Sequence, residues 1–161
     1  MTVAEYNLSV NEYADRLYRF VLKNIRNEST AQDLVQDTYE KLWVKHENVS
    51  FAKVRSYLFT AAYHTLIDHT RKTRNEVMLD EITTMEVFET PEKFDLKQNL
   101  EEAFEKLPDI QRSVILLRDY EGYSYEEIGE ITGLSESQVK VYIYRGRLAL
   151  RKLIGSPEVL I

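Results

Sequence analysis

Residues 124–139 read Ser124-Tyr125-Glu126-Glu127-Ile128-Gly129-Glu130-Ile131-Thr132-Gly133-Leu134-Ser135-Glu136-Ser137-Gln138-Val139. Ser124 can cap a helix, with Glu126 and Glu127 in its first turn, where the helix dipole favours anions. Gly129 is small where two helices would cross. Gly133 can take the left-handed conformation that ends a helix. Leu134 then plugs the core and Ser135 caps a second helix. The inner face of that helix is Val139, Tyr142 or Ile143, and Leu150, and its outer face carries Lys140, Val141, Tyr144, Arg145 and Arg147. A helix-turn-helix between about Ser124 and Leu148 is the expected element, its second helix placed to read DNA.

An ordinary helical hairpin with a solvated basic face has the same spacing. Charge separates the two readings. Residues 107–136 carry a net charge of −5 and residues 137–154 a net of +5. The whole chain of 161 residues is at −6, but counterion release needs positive charge only where the phosphates dock. Residues 1–74 are at +2 and residues 75–106 at −7, so two basic islands flank an acidic stretch.

Outward from the turn, the rest of the chain is helical in pattern. Tyr13, Leu17, Phe20, Val21 and Ile25 recur at helical spacing. Ser29-Thr30-Ala31-Gln32 offers a capping box for a second helix whose inner face is Leu34, Val35, Thr38 and Leu42. Residues 46–54 read as a loop. Tyr57 to Leu66 restart a helix that ends in the basic run Arg71-Lys72-Thr73-Arg74. Residues 75–97 are acidic and hold Thr90-Pro91, the composition of a linker, with a helical turn expected around Leu79–Ile82. Leu96, Leu100, Ala103, Phe104 and Leu107 resume the helical period until Pro108, and Val114 to Leu117 lie in a further short helix. The expectation is an all-α protein of two small helical domains, 1–75 and 98–161, joined by an acidic linker, 76–97.

Composition narrows the function. With no cysteine there is no disulfide and no thiolate site, which fits a cytoplasmic protein. No apolar run approaches the ~20 residues of a membrane span, and the N-terminus lacks a signal-peptide pattern. Three histidines, no Gly-rich phosphate loop and no metal motif leave little for catalysis, so neither enzyme activity nor a cofactor or metal is expected.

The run Leu107-Pro108-Asp109-Ile110-Gln111-Arg112-Ser113-Val114-Ile115-Leu116-Leu117-Arg118, followed by Glu121-Gly122-Tyr123-Ser124-Tyr125-Glu126-Glu127-Ile128, resembles region 4 of bacterial RNA polymerase sigma factors. Tyr144-Arg145-Gly146-Arg147-Leu148-Ala149-Leu150-Arg151 continues the match, with Gly146 where Ala is usual. Ala31-Gln32-Asp33-Leu34-Val35-Gln36-Asp37 through Leu42-Trp43, and Tyr57-Leu58-Phe59 through Asp68, resemble region 2. Both regions in this order, with no region 3 between them, are similar to the extracytoplasmic-function (ECF, group IV) sigma factors.

The resemblance implies a subunit that binds core RNA polymerase through its β′ coiled coil and β flap, reads the −10 and −35 promoter elements, and opens the duplex. Asp33, Gln36, Asp37, Glu40 and Lys41 would be the polymerase-docking face. Phe51, Lys53, Arg55, Tyr63, His64, Arg71, Lys72 and Arg74 would line the −10 region, where extruded bases need stacking surfaces and the backbone needs cations. Tyr63 and His64 stand where the family usually has Arg and Asn. Trp43 and Tyr57 are expected in the core. Lys140, Val141, Tyr144 and Arg145 would face −35 bases, with Arg112, Ser135, Ser137, Gln138, Arg147 and the backbone around Tyr123 and Ser124 near phosphates. Family membership also implies an anti-sigma partner, often membrane-anchored. A stand-alone helix-turn-helix regulator is the alternative, and it leaves the region 2 motif unused.

Overall fold

The computed structural model describes residues 1–79 and 96–155. The elements are α1 (Val3–Ile25), α2 (Glu28–Lys45), two 3₁₀ turns (His46–Asn48 and Phe51–Lys53), α3 (Val54–Leu79), α4 (Leu96–Lys106), α5 (Asp109–Ile115), a π turn (Leu116–Tyr120), α6 (Tyr125–Thr132) and α7 (Glu136–Ile154). The all-α reading is correct.

Helix α1 starts ten residues before the periodic run that announces it. Thr2 supplies the reason: its Oγ1 accepts from the Glu5 N–H, and the Glu5 carboxylate accepts from the Thr2 N–H. This reciprocal cap satisfies two donors that the helix start leaves open. The capping box expected at Ser29–Gln32 is not the one used. Asn27 caps α2 instead, its Oδ1 accepting from Thr30 N at 2.9 Å. Asn is among the strongest N-caps, and Arg26 before it sits at φ 56°, which turns the chain sharply there. Leu17, Phe20, Val21, Leu34, Leu42, Leu58, Phe59 and Ala62 form the core where α1, α2 and α3 meet.

Helix α3 runs on to Leu79 and α4 begins at Leu96, so both intrude on the expected linker. The remaining linker, Thr90-Pro91 and most of the expected turn at Leu79–Ile82 lie outside the described residues. In the C-terminal half α4, α5 and α6 all pack on α7. Pro108 separates α4 from α5 and stands at the N-cap of α5. The expected short helix then widens into the π turn, where Glu121 N donates to Leu116 O at 3.1 Å and Tyr123 N to Leu117 O at 3.1 Å. Gly122, at φ 74°, completes the corner.

The two halves are packed together. Helix α3 contacts α6, and α1 contacts α4 and α5. No helix among the described residues is long and apolar enough to cross a membrane.

Candidate nucleic-acid and polymerase surfaces

The helix-turn-helix forms as the sequence predicts. Ser124 and Ser135 cap α6 and α7, each in a capping box, with Glu127 and Gln138 as the reciprocal partners. The hydrogen bonds from Ser124 hold the Glu127 carboxyl below its usual range. Gly133 ends α6 at φ 79°. Gly129 is required for a different contact from the one expected. A Cβ there would lie 2.8 Å from the Leu134 carbonyl oxygen, so the close approach is to the turn.

Helix α7 buries Val139, Ile143, Gly146, Leu150 and Ile154. That choice settles the inner face on Ile143, with Tyr142 half-buried beside it. The opposite face presents Ser137, Val141, Tyr144 and Arg145 to solvent, and Tyr144 is 66% exposed. Lys140 flanks them, 3.5 Å from the Glu136 carboxylate and 5.5 Å above the Tyr125 ring. Arg147 reaches back to Asp119 at 2.6 Å. The caps use the acceptor oxygens of Ser135 and Gln138 and not their O–H and NH₂ donors; both residues are exposed.

Arg112 is not on this surface. It is 6% exposed and donates to the carbonyls of Phe104 (2.6 Å), Glu105 (3.0 Å), Leu107 (2.7 Å) and Asn24 (3.3 Å), and to Asp109 Oδ1 (3.1 Å). The carbonyls of Phe104, Glu105 and Leu107 lie at the C-terminal end of α4, where helical donors run out; of the three, Phe104 O also accepts from Leu107 N at 3.2 Å. Arg112 therefore closes the α4–α5 corner, and its guanidinium is engaged. The backbone at Tyr123 and Ser124 is engaged as well: Tyr123 O accepts from Arg118 at 2.9 Å, and Ser124 N donates to Glu127.

On α2, Asp33, Gln36, Asp37, Glu40 and Lys41 are all exposed and follow one helical stripe. Lys41 also donates to Thr65 Oγ1 at 2.9 Å, which ties the stripe to α3. Val44, 82% exposed, continues it by one turn. Trp43 is not a core residue. It is 46% exposed, stacked on His46 at 4.5 Å and edge-on to Tyr6 at 5.1 Å. Tyr57 is half-buried.

The 46–54 segment is held at both ends. The Met1 ammonium donates to His46 O (2.7 Å) and Val49 O (2.8 Å), and Lys53 N donates to Ser50 O (3.0 Å). Phe51 is half-buried, and Lys53, His64, Arg71, Lys72 and Arg74 are exposed. Tyr63 departs from the expected set. It is 6% exposed, and burial, with Asp109 nearby, raises its hydroxyl pKa. The neighbouring His64 is the open side chain of the pair.

Two further members of the −10 set are claimed by the C-terminal half. Arg55 donates from Nη2 to Glu121 O, lies 3.9 Å from Glu121 Oε2, and stacks on the Tyr123 ring at 4.4 Å. Arg74 pairs with Asp109. Glu121 and Tyr123 were legible as part of the region 4 motif but not as contacts of the other half. Around them Arg16 pairs with Glu121 at 2.9 Å, Phe59 meets the Tyr123 ring at 5.6 Å, and Lys23 sits 3.8 Å above the Tyr120 ring. Burial pushes Tyr123 up to about 12. Burial, and Arg19 beside it, lower the Lys23 ammonium.

Comparison with known proteins adds to this geometry. Residues 10–76 match the family described as Sigma-70 region 2, and residues 97–150 match Sigma-70, region 4. The chain is 32% identical over 152 residues to the RNA polymerase sigma factor YlaC of Bacillus subtilis, covering 88% of this chain and 87% of that one. It is 27% identical to the ECF sigma factor SigM of the same organism, covering 95% of each. Among solved structures it superposes on the Bartonella quintana sigma factor RpoE in complex with the anti-sigma factor NepR. The TM-score is 0.80 at 27% identity, covering 95% of this chain and 98% of that one. With both regions in place, in order and folded as such, the chain belongs to the ECF RNA polymerase sigma factors, a family that acts in transcription initiation.

Proposed function

We propose that this chain is a promoter-specificity subunit that docks on core RNA polymerase through the α2 stripe. The −35 element is read with α7 and the −10 element with the 46–74 segment, and duplex opening accompanies −10 binding. The observation that carries this reading is the presence, in one chain, of two exposed surfaces of different chemistry. Asp33, Gln36, Asp37 and Glu40 suit a reversible protein contact. Lys140, Tyr144 and Arg145 suit base edges and phosphates, and Val141 suits apolar contact with a thymine methyl. In the −10 region the proposed contacts are Phe51, Lys53, His64, Arg71 and Lys72, with Arg55 and Arg74 added once they leave Glu121 and Asp109. The chain performs no chemistry of its own. Two weak DNA contacts on one polymerase platform gain specificity through effective concentration. The full-length likeness to an anti-sigma-bound sigma factor supports an anti-sigma protein as a further partner.

The deciding experiment is run-off transcription with purified core polymerase and fragments of the source genome. Discrete promoter-dependent products are expected. Asp33→Ala and Asp37→Ala should weaken core binding about tenfold, an effect on the order of 1.4 kcal/mol, while leaving the melting curve unchanged because both side chains are exposed. No product together with no binding to core would end this reading.

A further inference from the structure

We propose that the acidic edge of the C-terminal half, Glu105, Asp109 and Glu121, is an internal substitute for the DNA backbone: it occupies cations of the N-terminal half, so domain closure and DNA binding compete for the same arginines. The proposal rests on the assignment of residues 46–74 to the −10 element.

The seam between the halves has a consistent polarity. Arg16, Arg26, Arg55 and Arg74 come from the N-terminal half, and Glu121, Glu105 and Asp109 meet them from the other. Arg26 also donates to Glu101 O at 3.1 Å. Carboxylates facing guanidiniums reproduce the charge pattern that phosphates would present. Arg55 and Arg74 are the two of these cations that belong to the −10 set, and neither can serve a carboxylate and a phosphate with the same donors.

The seam is also imperfectly satisfied at its centre. Among the described residues the buried side-chain polar atoms without a hydrogen bond are Arg55 Nε, Glu121 Oε2 and Tyr123 OH, and all three lie at this one point. Glu121 Oε2 is within ion-pair range of Arg16 and Arg55 yet accepts no aligned hydrogen bond. Its side chain is 9% exposed. Buried charge with unmet hydrogen bonds is costly. A seam of this kind holds less firmly than an apolar one, and its ion pairs exchange readily for phosphate. Glu121 caps the C-terminal end of the π turn, at the corner leading into Ser124, the cap of α6. Closure therefore also fixes where the DNA-reading helices stand relative to the N-terminal half. The proposed order is opening first, then simultaneous contact with both promoter elements.

The absence of native cysteine allows a direct test on the full chain. Spin labels at Gln32→Cys and Glu130→Cys, both exposed positions in opposite halves, report the interdomain distance by pulsed EPR. The unbound protein should give a single narrow distribution at low salt. It should broaden with rising salt and in the Asp109→Asn/Glu121→Gln variant. The same variant should bind a fluorescent mixed-sequence single-stranded 20-mer about fivefold more tightly. Glu12→Gln, which removes an exposed charge outside the seam, should leave both readings unchanged. Asp109 also supports Arg112, so Glu105→Gln, on the exposed rim, is the second variant and should shift both readings in the same direction. A distribution already broad in the wild type, or equal DNA affinity in wild type and both seam variants, would overturn the proposal. Core binding is not needed for either measurement, so their failure is separable from failure of the proposed function.

Discussion

At the scale of single residues, Gly146 shows how one position joins helix propensity to packing. A Cβ there would lie 2.5 Å from Ile115 Cδ1 and 3.3 Å from Gln111 Cβ. Alanine, the usual residue of the family at this place, would gain roughly 0.5–1 kcal/mol of helix propensity. It would also overpack the α5–α7 contact, at a cost of about 1–3 kcal/mol. Packing wins, so Gly146→Ala should lower stability by about 1 kcal/mol in urea unfolding. Ile115→Val removes the clashing methyl and alone costs about 1 kcal/mol. Combined, the two should cost clearly less than their sum, and strict additivity would show that the clash is relieved elsewhere. Tyr123 carries a pH signature. Its hydroxyl, raised to about 12 in the folded protein from an ordinary 10, stays protonated where the unfolded chain has already lost its proton. The unfolded state then binds fewer protons, so this contribution is complete below pH ~10 and is lost as pH rises toward ~12. Tyr123→Phe should therefore flatten the alkaline fall of stability. The hydroxyl meets no well-aligned partner, although Ser56 lies close enough to offset part of the shift, so only a small change is expected at pH 7. Identical alkaline slopes would exclude Tyr123 as a source of the effect.

At the scale of elements, the helix-turn-helix was the most legible part of the chain because its signals are local. Ser124, Gly133 and Ser135 act within a few residues, and each takes the place its chemistry suggests. The start of α2 was less legible, since Asn27 and Ser29 are both acceptable caps and the choice falls to the turn before them. Arg112 was misplaced for a related reason. A basic residue in a DNA-binding half suggests phosphate, and nothing local shows that the carbonyls of Phe104, Glu105 and Leu107, at and just past the end of α4, will surround it. Helix α7 yields the test suited to this scale. Tyr144→Ala and Arg145→Ala alter exposed side chains, so the melting temperature should hold while −35 discrimination falls by about 1–3 kcal/mol for each base no longer read. Lys152→Ala, also exposed, should weaken all sequences alike and reduce the salt slope. Electrophoretic mobility shifts with polymerase holoenzyme and single-base −35 variants distinguish the two patterns. Uniform weakening by Arg145→Ala would remove it from the base-reading set.

At the scale of the whole molecule, the packing of the two halves was not legible in the sequence. Its contacts join residues far apart in the chain, such as Arg55 with Glu121 across 66 positions and Ser113 with Asn24 across 89. No period or spacing records them. Composition did record their cause, since a basic N-terminal half precedes an acidic stretch that reaches through Glu121. The acidic segment between α3 and α4 gives the prediction proper to this scale. It holds none of the residues assigned to base reading, which lie in the 46–74 segment and on α7. On the proposed function it would set how far apart those surfaces can work, and its negative charge would compete with nucleic acid inside the polymerase. Replacing residues 80–95 with a neutral Gly/Ser sequence of the same length keeps the maximum span, which chain length sets, while removing the self-repulsion that extends a charged linker. The distribution of start sites in run-off transcription from a pool of promoters should therefore stay as it is. The amount of product per start site should change, because the charge that contends with nucleic acid is gone. Altered promoter choice with unaltered yield would mean that the segment takes part in reading DNA, and the division of the chain into two readers and a tether would have to be redrawn.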